Sequence, residues 1–399
     1  MRVAIVSDFF PEFIGGAQTS MREQQLALEN AGHEVRTVNA IRDRGTRYRR
    51  DDRSLRVRPR FVMRGVELPV IGNTARTRSE LAHYFRDEAI DVVHVQSEFG
   101  LSHAAIDAAE EVGIPVVHTV HTFYWASDDN WHAFLAPIGR WILSRAIGRP
   151  IERRRLAQKP IDSVLRNLTL TTAMRADAVV SPSAHQARDL EAAGVRIPVR
   201  NIRNPMASSD SPPTPLTGAH TDHPRFLWAA RCDLVKRPLV FARGAIEALE
   251  RTNGGFSVDF VGTGGQLRAL RRLTAKYPEL RVHGAIPRTG LLGLLDESAA
   301  IVLSSLGFDN QPMTVVEAVS RQRGVIYCDN NLTEGLTRAG YLTPTTDEHG
   351  FADALVALVN DPELLVGLSR GAAAEQHEFS GETYVRRITG VYDAITVRR

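Results

Sequence analysis

Lysine is almost missing from this sequence: of 49 basic residues in 399, only Lys159, Lys236 and Lys276 are lysines, and the other 46 are arginines. A coding bias toward arginine explains the excess in general, which makes the placement of each lysine informative. Cysteine is scarcer still. Cys232 and Cys328 cannot build a disulfide framework or a four-cysteine metal site, and a reducing cytoplasm is the expected home. No stretch approaches the ~18 uncharged apolar residues that a spanning helix needs. The N-terminal run over residues 3–6 is cut short by Asp8, too short for a secretory signal. Other absences exclude enzyme classes. No G-x-G-x-x-G follows the first strand-like run, no Walker loop supports an ATPase, and no G-x-S-x-G elbow supports a hydrolase. No repeat at the ~20–50-residue periods of solenoids is found.

What is present is globular in proportion. Apolar residues make up 43% and charged residues 24%, with a net charge of +3. At ~150 residues per domain the length suits two or three cores. Short β-branched runs at 3–6, 34–38, 92–95, 115–120 and 178–180 read as strands buried on both faces. Helix-length patterns at 21–32, 73–88, 104–113 and 183–194 alternate with them. The series restarts after residue 225, with strands at 226–229, 257–261, 280–283, 300–303 and 325–327. Alternation of this kind predicts parallel sheets with crossover helices. Residues 207–224, rich in Ser, Thr and Pro, read as a linker between two doubly wound domains, 1–206 and 207–382. Such sheets bind ligands at the carboxyl ends of their strands, so two facing sheets would hold a cleft between them.

Charge is uneven. Residues 1–200 carry 28 basic and 24 acidic side chains, and the remainder 21 and 22. Ten arginines against three aspartates crowd residues 42–64, and a second basic cluster, 149–159, follows the aromatic-rich stretch 123–141. Basic residues beside aromatics suit an anionic membrane surface or an acidic acceptor, and equally a solvated arginine-rich loop. Nucleic acid is disfavoured, because no nucleic-acid motif accompanies the charge.

Four groups of residues carry candidate chemistry. Gly15-Gly16 stands at the start of a helix, where glycines let backbone N–H groups approach an anion; a permitted turn is the plainer reading. Val261-Gly262-Thr263-Gly264-Gly265 mimics a nucleotide fingerprint after a strand but is weak alone. Arg231 leaves the end of a strand and Lys236 lies five residues on, near the next helix. Two cations there can grip a diphosphate and stabilise its growing charge as a bond breaks. Further on, a strand ends at Leu303 and a loop carries Asp309-Asn310-Gln311-Pro312. Pro312 suits a first helical turn, which frees the N–H groups of Met313 and Thr314 for phosphate or sugar oxygens. Glu317, flanked by valines and alanine, can accept two hydrogen bonds from a ribose diol, and Asp309 from a hexose. His118 and His121 end another strand. Their i, i+3 spacing turns them to opposite faces, which argues against a joint metal site.

In order and spacing these motifs resemble the retaining glycosyltransferases of family 4, built on the GT-B fold. The resemblance runs through Gly15-Gly16, Asp91-Val-Val-His94, Thr119-Val-His121, Ala176-Asp-Ala-Val-Val-Ser-Pro-Ser183 and Asn201-Ile-Arg-Asn204-Pro205. It continues through Arg231 with Lys236, Gly262-x-Gly264 and the acidic motif ending Glu317-Ala318. It implies two Rossmann-like α/β domains facing across a cleft, with a last helix over 383–397 in a 383–399 segment crossing back to the first. It also implies a nucleotide-sugar donor, UDP- or GDP-hexose, held by the second domain. Arg231 and Lys236 would hold the diphosphate, Glu317 the ribose, and Asp309 with the following amides, in the segment Asn310-Gln311-Pro312-Met313-Thr314, the sugar. His121 would sit near the sugar, Gly15 and Gly16 near the phosphate, and the base against residues 284–288, Arg288 included. Transfer would retain configuration by front-face attack, with no cofactor and no metal. The acceptor would be a glycan or a lipid-linked hydroxyl, reached at the inner face of a membrane from the cytoplasm. A nucleotide-sugar epimerase and a non-catalytic sugar-nucleotide or glycan-binding protein share the same outline. Three departures stand out: Asp309 replaces the usual first glutamate of a Glu-x7-Glu pair, Asn310-Gln311-Pro312-Met313 replaces a glycine-rich stretch, and Asn204-Pro205 stands where Asn-Gly is common.

Overall fold

The computed structural model of the chain describes residues 1–12, 15–42, 45–63, 68–125, 135–206 and 212–397. The chain divides into two compact units, Met1–Ala207 with Gly381–Arg399, and Ser208–Ser380.

The strands of the first unit are β1 (Arg2–Ser7), β2 (Glu34–Ala40), β3 (Tyr48–Asp51), β4 (Ser54–Val57) and β5 (Phe61–Met63). They continue with β6 (Leu68–Val70), β7 (Val92–Val95), β8 (Val116–Thr119), β9 (Ala178–Ser181) and β10 (Val199–Asn201). Its helices are α1 (Gly16–Asn30), α2 (Ala75–Asp87), α3 (Gly100–Val112), α4 (Ala136–Ile147), α5 (Pro160–Ala173) and α6 (Ala184–Ala192). Among the described residues eight strands form one sheet in the order β10-β9-β8-β7-β1-β2-β4-β3, and β5 pairs with β6 in a hairpin. The large sheet is parallel except where β3 meets β4. Its inner strands are short apolar runs because helices cover both faces.

Strands β3 to β6 were not anticipated from the sequence, since each has only three or four residues, β3 and β4 carry charge, and Pro69 interrupts β6. They also spend much of the basic cluster. Arg50 pairs with Asp87 at 2.7 Å, and Arg49 and Arg56 both reach Asp51, at 3.1 and 3.4 Å. Arg42 lies over the Phe10 ring and Arg50 over Tyr84. Arg44 and Arg64 lie outside the described residues, as do residues 126–134 of the aromatic stretch.

The second unit contains β11 (Arg225–Ala229), β12 (Ser257–Val261), β13 (Leu280–Gly284), β14 (Ala300–Leu303), β15 (Gly324–Tyr327) and β16 (Gly340–Leu342). Its helices are α7 (Gly218–Thr221), α8 (Pro238–Thr252), α9 (Leu267–Thr274), α10 (Arg288–Glu297), α11 (Met313–Ser320), α12 (Glu348–Asn360) and α13 (Pro362–Glu375). All described strands are parallel in the order β13-β12-β11-β14-β15-β16. Numbered within the unit this is 3-2-1-4-5-6, the doubly wound order whose direction reverses between the first and fourth strands. Of the segment read as a linker, residues 207–211 lie outside the described residues, while 218–221 form α7 behind a Thr217–His220 capping box. Both cysteines are buried free thiols, and burial pushes each up to about 11.

The last helix, α14 (Gly381–Thr396), belongs to the first unit. Tyr384, Ile388, Tyr392 and Ile395 line its buried face against Val3, Ile5, Leu28, Val92 and Val117. Each such side chain contributes on the order of 1.5–3 kcal/mol by leaving water. Among the described residues no helix is long and apolar enough to cross a membrane.

Candidate functional site

The second sheet reverses direction between β11 and β14, and the loops that leave these two strands carry most of the candidate residues. The β11 loop is pressed against the β12 loop. The Cys232 N–H donates to Thr263 O at 2.9 Å, and the Gln266 N–H donates to Cys232 O at 2.8 Å. This contact requires glycine. At Gly262, with φ of +137°, a Cβ would lie 1.8 Å from Ala230 O; at Gly264, with φ of +155°, it would lie 2.5 Å from Cys232 O. The two glycines therefore shape the loop that presents Arg231 and Lys236, whatever else they touch.

Asp233 caps the single turn Leu234–Lys236, accepting from the Lys236 N–H at 3.2 Å. Arg237 follows in the left-handed region at φ of +51° and donates to Ser304 O at 3.3 Å and Thr346 O at 2.5 Å. These contacts aim Lys236 at the β14 loop. Its ammonium donates to Asp309 Oδ1, and the Ser305 hydroxyl donates to Asp309 Oδ2. Ser304 ties the same turn from below, donating to Lys236 O at 2.6 Å and accepting from Trp228 Nε1 at 2.8 Å. The Lys236 and Asp309 side chains are only 16% and 9% exposed, so the pair is largely desolvated. The ammonium also lies 5.3 Å from the centre of the Phe308 ring.

From the sequence, Lys236 is expected at a diphosphate and Asp309 at a sugar. The structure brings the two together, with both Asp309 oxygens engaged. Arg231 is 66% exposed and pairs with Asp233 at 3.1 Å. Arg288, at the start of α10, stands 3.5 Å from Glu317 Oε1 on α11. Asn310, Gln311 and Met313 are buried around Pro312, which caps α11. Met313 and Thr314 lie in its first turn, where N–H groups have no partner within the helix. Ser304, Ser305 and Arg237 were missed from the sequence. Their signal was present, since all three leave the carboxyl end of a strand or open the next helix, where doubly wound folds place ligand groups.

The first unit has its own polar centre, at the ends of β1, β7 and β8. Asp8 is fully buried and accepts from the N–H groups of Leu101 and Ser102 at 2.7 and 3.2 Å, and from the Ser102 and Ser97 hydroxyls. It caps α3 from outside, because Phe99 at the N-cap has no side chain for the task. Gly15 is extended at φ of −160°, a conformation open to any residue, and Gly16 opens α1. His121 lies just past β8 and donates from Nε2 to Gln96 Oε1 at 2.5 Å. Burial, with His118 as a second cause, pushes the His121 ring down to about 3; burial does the same to His94, His103 and His118. These rings are neutral at pH 7. His118 is buried with Nε2 3.7 Å from Glu98 Oε1, and burial holds Glu98 well above the usual carboxylate range. Among the described residues no group of three or more His, Cys, Asp or Glu side chains is placed to hold a metal ion.

Comparison with known proteins covers both halves of the chain. Residues 14–207 match the family description Glycosyltransferase Family 4, and residues 223–361 match Glycosyl transferases group 1. The phosphatidyl-myo-inositol mannosyltransferase of Mycolicibacterium smegmatis is 22% identical over 413 residues, covering 99% of this chain and 94% of that one. The alpha-monoglucosyldiacylglycerol synthase of Streptococcus pneumoniae is 22% identical over 420 residues, covering 99% and 86%. Among solved structures, the sucrose-phosphate synthase of Thermosynechococcus elongatus superposes with a TM-score of 0.69 at 14% identity over the whole of both chains. Anabaena HepE in complex with UDP and glucose gives 0.65 at 12% identity, covering 98% and 99%. The fold is GT-B. With both units matched and relatives aligned from end to end, this chain belongs to glycosyltransferase family 4.

Proposed function

We propose that the enzyme moves a hexosyl group from a UDP- or GDP-hexose to an acceptor hydroxyl with retention of configuration and without a metal ion. The observation that carries this reading is the pair of charged contacts at the reversal point of the second sheet, Lys236–Asp309 beside Arg231, and Arg288–Glu317. A diphosphate leaving group needs its growing negative charge neutralised, and preorganised cations in a water-poor site do this most effectively. Lys236 is held in such a place. Arg231 is exposed and able to turn from Asp233 onto a phosphate. Glu317 supplies the acceptor for a ribose diol. Asp309, engaged by Lys236, fixes the ammonium and offers the sugar whatever oxygen the exchange of hydrogen bonds frees.

In the transfer step the C1–O bond to the diphosphate breaks while the acceptor oxygen bonds to C1 on the same face. The acceptor's proton passes to the departing phosphate oxygen. His121 contributes a hydrogen bond to the transferred sugar. The complex of HepE with UDP and glucose supports a uridine donor, and the mannosyltransferase relative keeps a mannosyl group in view.

The acceptor is a lipid or lipid-linked hydroxyl. Two of the relatives carry lipid names, a phosphatidyl-myo-inositol mannosyltransferase and a diacylglycerol glycoside synthase. The surface of α4 supports this: Ile138, Trp141 and Ile142 are 54%, 64% and 48% exposed. Their i, i+3, i+4 spacing puts them on one helix face, with Arg145 one turn on and its guanidinium 5.8 Å from the Trp141 ring. An apolar face edged by arginine suits a monolayer of anionic lipid, reached from the cytoplasmic side.

Thermal melts against UDP, GDP, ADP and their sugar conjugates test the donor. One nucleotide family should raise the melting temperature by several degrees, since a ligand that binds only the folded state stabilises it. No shift with any of them, together with no sugar transfer to lipid extracts, would overturn the reading.

A further inference from the structure

The network behind His121 extends well beyond its first contact. Gln96 lies after β7 and is buried. Its oxygen faces His121, and its nitrogen donates to Gln24 Oε1 at 2.8 Å and stands 3.2 Å from His94 Nε2. Gln24, on α1, also accepts at Oε1 from the Tyr384 hydroxyl of α14 at 2.9 Å, and donates from Nε2 to Asn204 Oδ1 at 3.1 Å. An amide is polar end to end: its oxygen only accepts and its nitrogen only donates. As the bonds lie, Gln24 Oε1 takes the Tyr384 hydroxyl and the Gln96 nitrogen, while Gln24 Nε2 donates to Asn204 Oδ1 and to the Ser20 hydroxyl, so the Gln96 nitrogen faces Gln24. The Gln96 oxygen is then turned to His121, and only a protonated Nε2 can meet it. A neutral imidazole with Nε2–H has its remaining lone pair on Nδ1.

We propose that Gln96 is a positioning residue for sugar transfer, holding His121 as its Nε2–H tautomer so that Nδ1 accepts a hydroxyl of the donor sugar, and that Tyr384 fixes the Gln96 amide through Gln24. This rests on the reading of His121 as a sugar contact. The chain joins the loop after β7 with α1 and α14, segments far apart in sequence. Tyr384 stands four positions after Ser380, the last residue of the second unit. The C-terminal helix thereby does more than cover the sheet: its first turn is hydrogen-bonded into a relay that ends at His121.

The test uses the full chain labelled with 15N-histidine, and long-range 1H–15N spectra report the tautomer of each ring. The His121 signals are those missing in His121→Asn. Wild type should show them as Nε2–H. Gln96→Leu should redistribute them between tautomers, and Tyr384→Phe, which removes one hydroxyl and keeps the packing, should do so in part. Gln96→Glu, which keeps an acceptor opposite Nε2, should restore the Nε2–H state. With UDP-glucose or GDP-mannose as donor, kcat of Gln96→Leu should fall ~10-fold or more while the donor KM changes by less than about twofold, because geometry and not donor binding is lost. Retention of the Nε2–H tautomer in both Gln96→Leu and Tyr384→Phe would overturn the relay. Redistribution with unchanged kcat would keep the hydrogen-bond chain but overturn its role in transfer. Should neither donor be turned over by wild type, the donor reading fails, and the spectra still decide the relay.

Discussion

Lys236 and Asp309, 73 residues apart in sequence, close an ion pair where the second sheet changes direction. One of only three lysines in an arginine-rich chain is therefore held by a carboxylate that is itself nearly shut off from water. An ammonium is a compact point charge that fits such a pocket, whereas a guanidinium would bring more donors than the site can satisfy.

Removing Lys236 alone should have two effects. Lys236→Ala should lower donor turnover at least ~100-fold, because the cation proposed to meet the leaving group is lost. It should also cost about 3 kcal/mol of stability, since Asp309 is left buried and uncompensated. The double variant Lys236→Met, Asp309→Leu should recover most of the stability and none of the turnover. Urea melts and a donor-hydrolysis assay separate the two effects.

The glycines of the β12 loop give a second expectation. Gly262→Ala places a Cβ against the Ala230 carbonyl in a backbone region alanine avoids. The loss should exceed about 3 kcal/mol, read as a lower urea midpoint. Gly265→Ala, with open space around it, should change stability by less than about 0.5 kcal/mol.

Arg323 is fully buried with carbonyl partners in place of a carboxylate. Its guanidinium donates to Ser298 O at 2.6 Å, Thr214 O at 2.7 Å, Asp296 O at 2.5 Å and Arg321 O at 3.0 Å. It pins the α7 approach to the α10 and α11 ends. Arg323→Met should strand these carbonyls and cost ~3 kcal/mol or more, measured as a shift in the urea midpoint of the whole chain.

Stability should fall as the pH drops below 6.5. His94, His103, His118 and His121 have folded values near 3 against an unfolded 6.5, with burial the largest cause in each. Below pH 6.5 the unfolded chain therefore binds protons that the folded chain refuses. The contribution of these rings is whole above pH 6.5 and declines as pH falls toward 3. Glu98 works the other way, since its raised value favours the folded state in acid. We expect a loss of more than about 2 kcal/mol between pH 7 and pH 5, checked by urea melts at intermediate pH. A flat profile over that range would contradict the neutral buried rings.

The α4 face predicts membrane behaviour. The protein should co-sediment with vesicles containing anionic lipid at low salt, and Trp141→Ala with Ile142→Ala should weaken that binding at least ~10-fold while leaving the melting temperature unchanged. Absence of binding by the wild type would remove the support that this helix lends to a lipid acceptor.

Much of the fold was legible in the chain. Strands buried on both faces must be short apolar runs, so most inner strands could be placed to within a residue or two, from Val3 to Tyr327, and the edge strand β13 with them. The edge strands β3, β10 and β16 could not, nor could β4 beside β3. Tyr48–Asp51 reads as a charged loop because half of its surface meets water and its partner lies across a turn. The basic cluster looked like a free surface patch, yet several of its arginines pair with Asp51, Asp87 and aromatic rings.

The candidate site divides along the same line. Arg231, Lys236, Asp309 and Glu317 could be picked from the sequence because each follows a strand or opens a helix, and local pattern marks those positions. The choice of partners could not. That Asp309 takes Lys236, that Glu317 takes Arg288, and that Tyr384 reaches Gln96 through Gln24 depends on strand order and on the packing of α14. Local sequence determines which residues stand at the ends of strands, because backbone propensity and burial act over a few residues. Which of those ends meet is decided only when the whole sheet closes, because register across non-adjacent segments is set by the packing of the entire core.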